Sequence, residues 1–150
     1  MKQPQEGLLE RFQEQVYAIL RSKNDFQMLS IGTEKRSDFG SFCERLVRES
    51  IGQGLWITPP LPNKLIENVP GPVYEQVDFS IRVIENILTN ATGCSAIDIA
   101  EGVTTLLHLK ETYCCGRLWV MRCRTKEPWL YEDDDYKNII TLHFMTTCSF

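Results

Sequence analysis

Between Val73 and about residue 88 the chain alternates: Val73, Val77, Phe79, Ile81 and Val83 fall on one side, and Gln76, Asp78, Ser80 and Arg82 on the other. A period of two over that length predicts a long strand with one buried face. The stretch that follows, from residue 95 to 109, switches to helical spacing, with Ile97, Ala100, Val103 or Thr104, and Leu107 on one face. A long half-buried strand feeding an amphipathic helix constrains the chain to an α+β fold.

At 150 residues the sequence fits one domain, 1–150. A domain of that size buries enough apolar surface to fold without a metal or disulfide staple. No run of 18 apolar residues is present, so no membrane span is expected. The opening MKQPQEGLLERF carries charges within its first apolar stretch, unlike a secretory leader. The net charge of −4 argues against a nucleic-acid-binding module, which concentrates positive charge. Six cysteines, at 43, 94, 114, 115, 123 and 148, include an adjacent pair but no C-x-x-C spacing. They read as reduced thiols of a cytosolic protein, and no zinc site is expected from them.

Residues 6–22 predict a first helix, with Leu8, Leu9, Phe12, Val16, Ile19 and Leu20 as its apolar stripe. A short strand is expected over 25–34. A short helix to about Ser50 is expected to start at a capping box, Ser41 with Glu44, and to stop at Gly52 and Gly54. Leu55–Ile57 is a strand leading into Thr58-Pro-Pro-Leu-Pro62. Three prolines in four residues cannot serve a central ladder, so this is an edge or a projecting loop. With Pro70 and Pro72 it makes a Pro-rich arm over 58–72. Ser95 and Asp98 cap the second main helix. Two final strands are expected at Arg117–Arg124 and Asn138–Thr147, joined by an acidic loop over 126–137. The fold expected is α+β: a mixed, mainly antiparallel sheet flanked by two main helices plus a short one.

Chemistry is sparse. The run Glu132, Asp133, Asp134, Asp135 offers oxygen ligands for a hard cation but lacks the spaced pattern of a calcium loop, and an acidic tip in water is the simpler reading. His108 sits near a helix end and His143 in mid-strand on the outward parity. A spatial pair between His143 and a cysteine is the one nucleophilic arrangement the residues leave open. The glycines match neither a dinucleotide fingerprint nor a P-loop. Arg117, Arg122, Arg124 and Lys126, with Trp119 and Trp129 nearby, would suit a single-stranded nucleic acid, though a solvated strand face is the simpler reading. Neither a catalytic residue nor a cofactor or metal is expected.

Three segments, Gly52-Gln-Gly-Leu-Trp-Ile-Thr58, Asn68 to Asn86 and Thr92 to Glu101, together resemble a group of small tail proteins of phages and prophages, related in layout to the tail terminators. The specific part is 68–101; over the rest of 8–148 the match is one of element order. The resemblance implies a sheet flanked by helices and a ring, commonly of six subunits, that stops growth of the tail tube and meets the head–tail connector. It implies tail tube and connector proteins as partners, and assembly in the bacterial host cytoplasm before residence in the virion tail. It carries no catalytic residue. The projections suited to subunit or tail contacts are Pro59, Pro60, Pro62, Pro70 and Pro72 in the arm, and Trp129, Glu132, Asp133, Asp134 and Asp135 in the acidic loop. The competing class is a small binding module, or an enzyme with a site assembled around His143 and the cysteines.

Overall fold

The computed structural model describes residues 7–35, 37–48, 52–66, 74–88, 94–134 and 137–149, with the side chains of Val47, Arg48, Asp134 and Ser149 left out. In chain order the elements are α1 (Leu8–Ser22), a short 3₁₀ turn (Asn24–Phe26), β1 (Ser30–Thr33), α2 (Phe39–Arg48), β2 (Gln53–Ile57), β3 (Leu61–Leu65), β4 (Tyr74–Asn86), α3 (Ala96–Leu107), β5 (Glu111–Cys114), β6 (Arg117–Cys123), β7 (Trp129–Asp134) and β8 (Lys137–Ser149). The eight strands among the described residues form one sheet, mixed and mostly antiparallel, and the fold is α+β.

The two longest strands, β4 and β8, are 13 residues each and pair antiparallel along the middle of the sheet. Each is too long for one short neighbour, so each carries two along its outer side. β2 pairs the second half of β4 and β3 its first half. β7 pairs the first half of β8 and β6 its second half. β1 then adds to β2 as the parallel member, joined to it through α2, and β5 closes the other side against β6.

The alternation of β4 sets the two faces. Val77, Phe79, Ile81 and Val83 are buried, and so are Phe144, Leu142 and Ile140, their partners or neighbours on β8. α1 and α3 cover this face. Phe12 of α1 meets the Phe79 ring edge-on at 5.6 Å and Trp119 at 5.6 Å, while Phe79 stacks on Phe144 at 5.3 Å. Such ring pairs add to the burial that holds α1 on the sheet. Gln13, off the apolar stripe in sequence, is also buried, and its amide donates to the Glu34 carboxylate at 2.8 Å and to the Ile57 and Thr58 carbonyls at 3.3 Å.

Among the described residues, the opposite face is covered only at one end. There α2 lays Phe42, Cys43 and Leu46 over Trp56 and Ile84 as a second, smaller core. The Arg82 guanidinium sits 4.4 Å from the Phe39 ring centre beside it, a stacking that lets the charge leave water at modest cost.

Several sequence expectations shift. The 25–34 strand is a 3₁₀ turn followed by the four-residue β1. α2 begins at Phe39, and its cap is Asp38, whose carboxylate accepts the Ser41 backbone N–H at 2.8 Å; Ser41 lies inside the helix. On α3 the Ser95–Asp98 capping box is present, but Ile97 points to solvent and Ala96, Ile99, Ala100, Val103 and Leu107 are the buried set. β5 is a strand that the sequence reading omitted. The acidic loop is largely β7: residues 129–134 run in register with β8, because a hairpin partner supplies ladder hydrogen bonds to a segment whose composition alone would not hold a strand.

Candidate functional site

Beyond the reach of α2, no described residue covers the second face of the sheet. Paired residues share a face, so the ladder reads across directly: Ser80 beside His143, Asp78 beside Met145 and Arg122, Gln76 beside Thr147 and Val120, and Leu118 beside Tyr113. Met145 and Tyr113 are exposed and Leu118 and Val120 half-buried. The open face therefore carries Ser80, His143 and Asp78 over a mixed groove at mid-sheet and passes into an apolar strip toward β5.

The groove holds about 330 Å³ and is lined by Thr58, Pro59, Leu61, Asp78, Ser80 and His143 among others. The Ser80 hydroxyl lies 3.2 Å from His143 Nδ1. Thr58 fixes Ser80 from the other side, accepting the Ser80 N–H on its hydroxyl at 2.8 Å and donating its own N–H to the Ser80 carbonyl at 3.0 Å. Burial, and then the Arg124 guanidinium, push the His143 pKa below its ordinary value. Arg124 is held by its own turn, donating to the Lys126 and Glu127 carbonyls at 2.8 and 2.7 Å.

The arrangement does not make the nucleophilic pair that the sequence left open. Sheet parity places Cys123 and Cys148 on the core side, opposite His143, and Cys43, a residue of α2, is packed into the second core with Trp56 and Ile84. No cysteine is among the described residues lining the groove. The Cys–His approach that does occur involves His108, whose Nδ1 accepts the backbone N–H of Cys123 at 3.0 Å. Burial pushes the Cys123 thiol up, away from thiolate chemistry. Three or more His, Cys, Asp or Glu gathered as metal ligands do not occur among the described residues.

The basic run also separates. Arg117 lies on the core-side parity and hydrogen-bonds the Cys148 thiol, Arg122 points outward from the open face, and Arg124 binds carbonyls. These guanidiniums do not line one continuous groove.

The expected projections lie at opposite edges of the sheet. Pro59 is exposed at the groove, Pro60 is buried, and Pro62 stands exposed in β3, an edge strand where a missing N–H costs nothing outward. Pro70, Pro72 and Asp135 lie outside the described residues. Glu132 and Asp133 are exposed on β7, and Asp134 ends that strand. Trp129 is not a free loop residue: it packs half-buried against the main core, and its indole N–H donates to the Thr104 hydroxyl at 3.3 Å. The apolar part of the open face, Tyr113 with Leu118, Val120 and Met145, was missed. Its signal was the outward parity of apolar residues on adjacent strands, visible only once the strand partners are known.

No helix among the described residues is long and apolar enough to cross a membrane. No family model and no curated protein matches the chain. A solved structure whose designation describes no function is similar over 94% of this chain and 92% of that chain, at 14% identity and a TM-score of 0.59. At that identity the likeness shows the fold alone.

Proposed function

We propose that this chain is a structural protein of a phage or prophage tail, a tail terminator whose copies close into a ring, commonly of six, on the end of the tail tube and meet the head–tail connector. The observation that carries the reading is the pair of unlike edges. β3 leaves one side of the sheet with Leu61 and Leu65 exposed, and β7 leaves the other with Leu130 and Tyr131 exposed beside Glu132 and Asp133. A ring requires a heterologous contact between two different patches of the same chain, and exposed strand edges are ready templates for such pairing. The likeness of 68–101 to phage tail proteins gives the same direction.

The role needs no catalysis, cofactor or metal. Its partners are the chain itself, the tail tube protein and the connector, and its place is the host cytoplasm during assembly and then the virion tail. Six copies would carry six times the formal charge of −4, or −24, which repels phosphate and suits a passage for DNA. Light scattering over a wide concentration range, with electron microscopy of the largest species and of added tail tubes, tests the proposal. A closed ring, free or on tube ends, is expected. A dimer of fixed mass that ignores tube ends would overturn it.

The competing reading, a binding module, is favoured by one observation: the 330 Å³ groove with Ser80 and His143 at 3.2 Å. It predicts that a small ligand perturbs the His143 ring resonances, whereas the ring reading leaves them unchanged by small molecules.

A further inference from the structure

In a strand, neighbouring side chains point to opposite faces, so the thiols of Cys114 and Cys115 should diverge. They do not. Cys115 has φ +59° and Gly116 φ +78°, a left-handed pair that forms the two-residue turn between β5 and β6. Glycine suits the second position; at the first, the cysteine adopts a conformation uncommon for its type. The consequence is that the Cys115 side chain swings back over Cys114, and the two sulfurs stand 3.3 Å apart.

In the free protein that contact is a thiol–thiol hydrogen bond, and the same spacing suits one kind of covalent chemistry. A disulfide needs α-carbons about 4.4–6.8 Å apart, and adjacent residues across a trans peptide offer about 3.8 Å. The pair is therefore badly shaped to close on itself. A soft atom between the sulfurs is different: two bonds of roughly 2.3 Å, typical of thiolate to a metal-like centre, span about 3.3 Å when they meet near a right angle. Pyramidal trivalent centres with a lone pair prefer such angles, whereas a tetrahedral ion would want the sulfurs farther apart.

We infer that Cys114 and Cys115 form a two-thiol chelating site for a trivalent thiophilic centre of the arsonous type. The surroundings divide the labour. Cys115 is exposed, and the Arg11 guanidinium donates toward its sulfur at 3.8 Å, so this is the thiol that an incoming centre meets first. Cys114 is 8% exposed, and its backbone is pinned by the Trp119 indole N–H donating to its carbonyl at 3.2 Å. Burial, and then Cys115, push its thiol up to about 12, so Cys114 reacts second, once the centre is already held beside it.

With an organoarsonous acid, R–As(OH)₂, the balance is simple. The Cys115 thiol forms an S–As bond as one As–OH bond breaks, and the thiol proton leaves with that hydroxide as water. The Cys114 thiol repeats the exchange, closing a ring and releasing a second water. No electrons are transferred and no oxidant is needed.

Phenylarsonous acid, added as phenylarsine oxide in excess monothiol and followed by intact-protein mass spectrometry, tests the site. Monothiols strip a singly attached arsenical, while a second thiol held in place raises affinity by roughly 10²–10⁴. One adduct per chain is expected to persist in the unmodified protein and in Cys94→Ser, which removes another exposed thiol. It is expected to be lost in Cys115→Ser, an exposed change that leaves the fold intact, and in Cys114→Ala. Absence of a persistent adduct in the unmodified protein, its survival in Cys115→Ser, or its loss in Cys94→Ser would each overturn the inference.

Discussion

Gly32 shows how a single hydrogen decides packing in this fold. It stands on β1 beneath α2, and a Cβ there would sit 2.7 Å from a ring carbon of Phe42 and 3.2 Å from Trp56. Phe42 is fully buried and cannot give way. Gly32→Ala should therefore destabilise by about 1–3 kcal/mol through overpacking, read as a lower urea midpoint with an unchanged slope. His143 makes the residue-scale argument about pH. Burial, and secondarily Arg124, hold its folded pKa below the unfolded value of about 6.5. The unfolded chain then binds the proton more readily. The His143 contribution is fully present above about 6.5 and is lost as pH falls from there toward the folded pKa. The urea midpoint should fall over that window, and less so in His143→Gln; an equal fall in the variant would remove His143 as the cause. A downfield-shift titration by NMR would report the depressed pKa directly.

At the scale of elements, the helix starts separate what a capping motif says from what a cap does. Ser95 accepts the Asp98 N–H at 3.2 Å and Asp98 accepts the Ser95 N–H at 3.1 Å, so both orphan donors are satisfied and Ser95→Ala should cost about 1 kcal/mol. Ser41 has the same sequence pattern but sits within α2, and Ser41→Ala should stay within about 0.5 kcal/mol. The sensitive position is Asp38, where alanine lowers the urea midpoint and asparagine, an equally good cap, preserves it. The pattern misled because two capping residues stand three apart and only backbone geometry selects between them. The long strand was legible for the converse reason: its alternation persists from Val77 to Val83, and a register error of one residue would turn the whole apolar set to water. β7 was illegible because acidic residues make poor strands alone, and its partner β8 supplies what its composition lacks. β5 is four residues long and ends in the Cys–Cys–Gly turn, too short to show a period. Ile97 was misplaced because one residue of phase, about 100° of helical rotation, separates it from Ala96, which lies on the buried stripe. The groove at Ser80 and His143 was half visible, through outward parity, but that the two meet depends on the register of strands 63 residues apart.

At the scale of the whole molecule, the question is whether the two open sides of the sheet recognise one another. A twofold contact uses the same patch on both copies, while a ring uses two different patches once each. Variants blocked at one edge distinguish these. Leu61→Lys with Leu65→Lys charges β3, and Leu130→Lys with Tyr131→Lys charges β7; all four positions are at least half exposed, so each chain should fold with little loss. Lysines on an edge strand oppose pairing with another chain. For a head-to-tail ring, neither variant assembles alone, because every contact needs one good β3 side and one good β7 side. Mixed in equal amounts, they still share a single permitted contact, between the intact β3 side of one and the intact β7 side of the other. The mixture should give a one-to-one heterodimer by light scattering and nothing larger. A twofold β3 contact would instead leave the β7 variant assembling normally and the mixture without heterodimer. The heterodimer is thus the outcome that a ring built on these edges requires, and it can be sought without tail tubes, since it tests the geometry of contact apart from the trigger for closure.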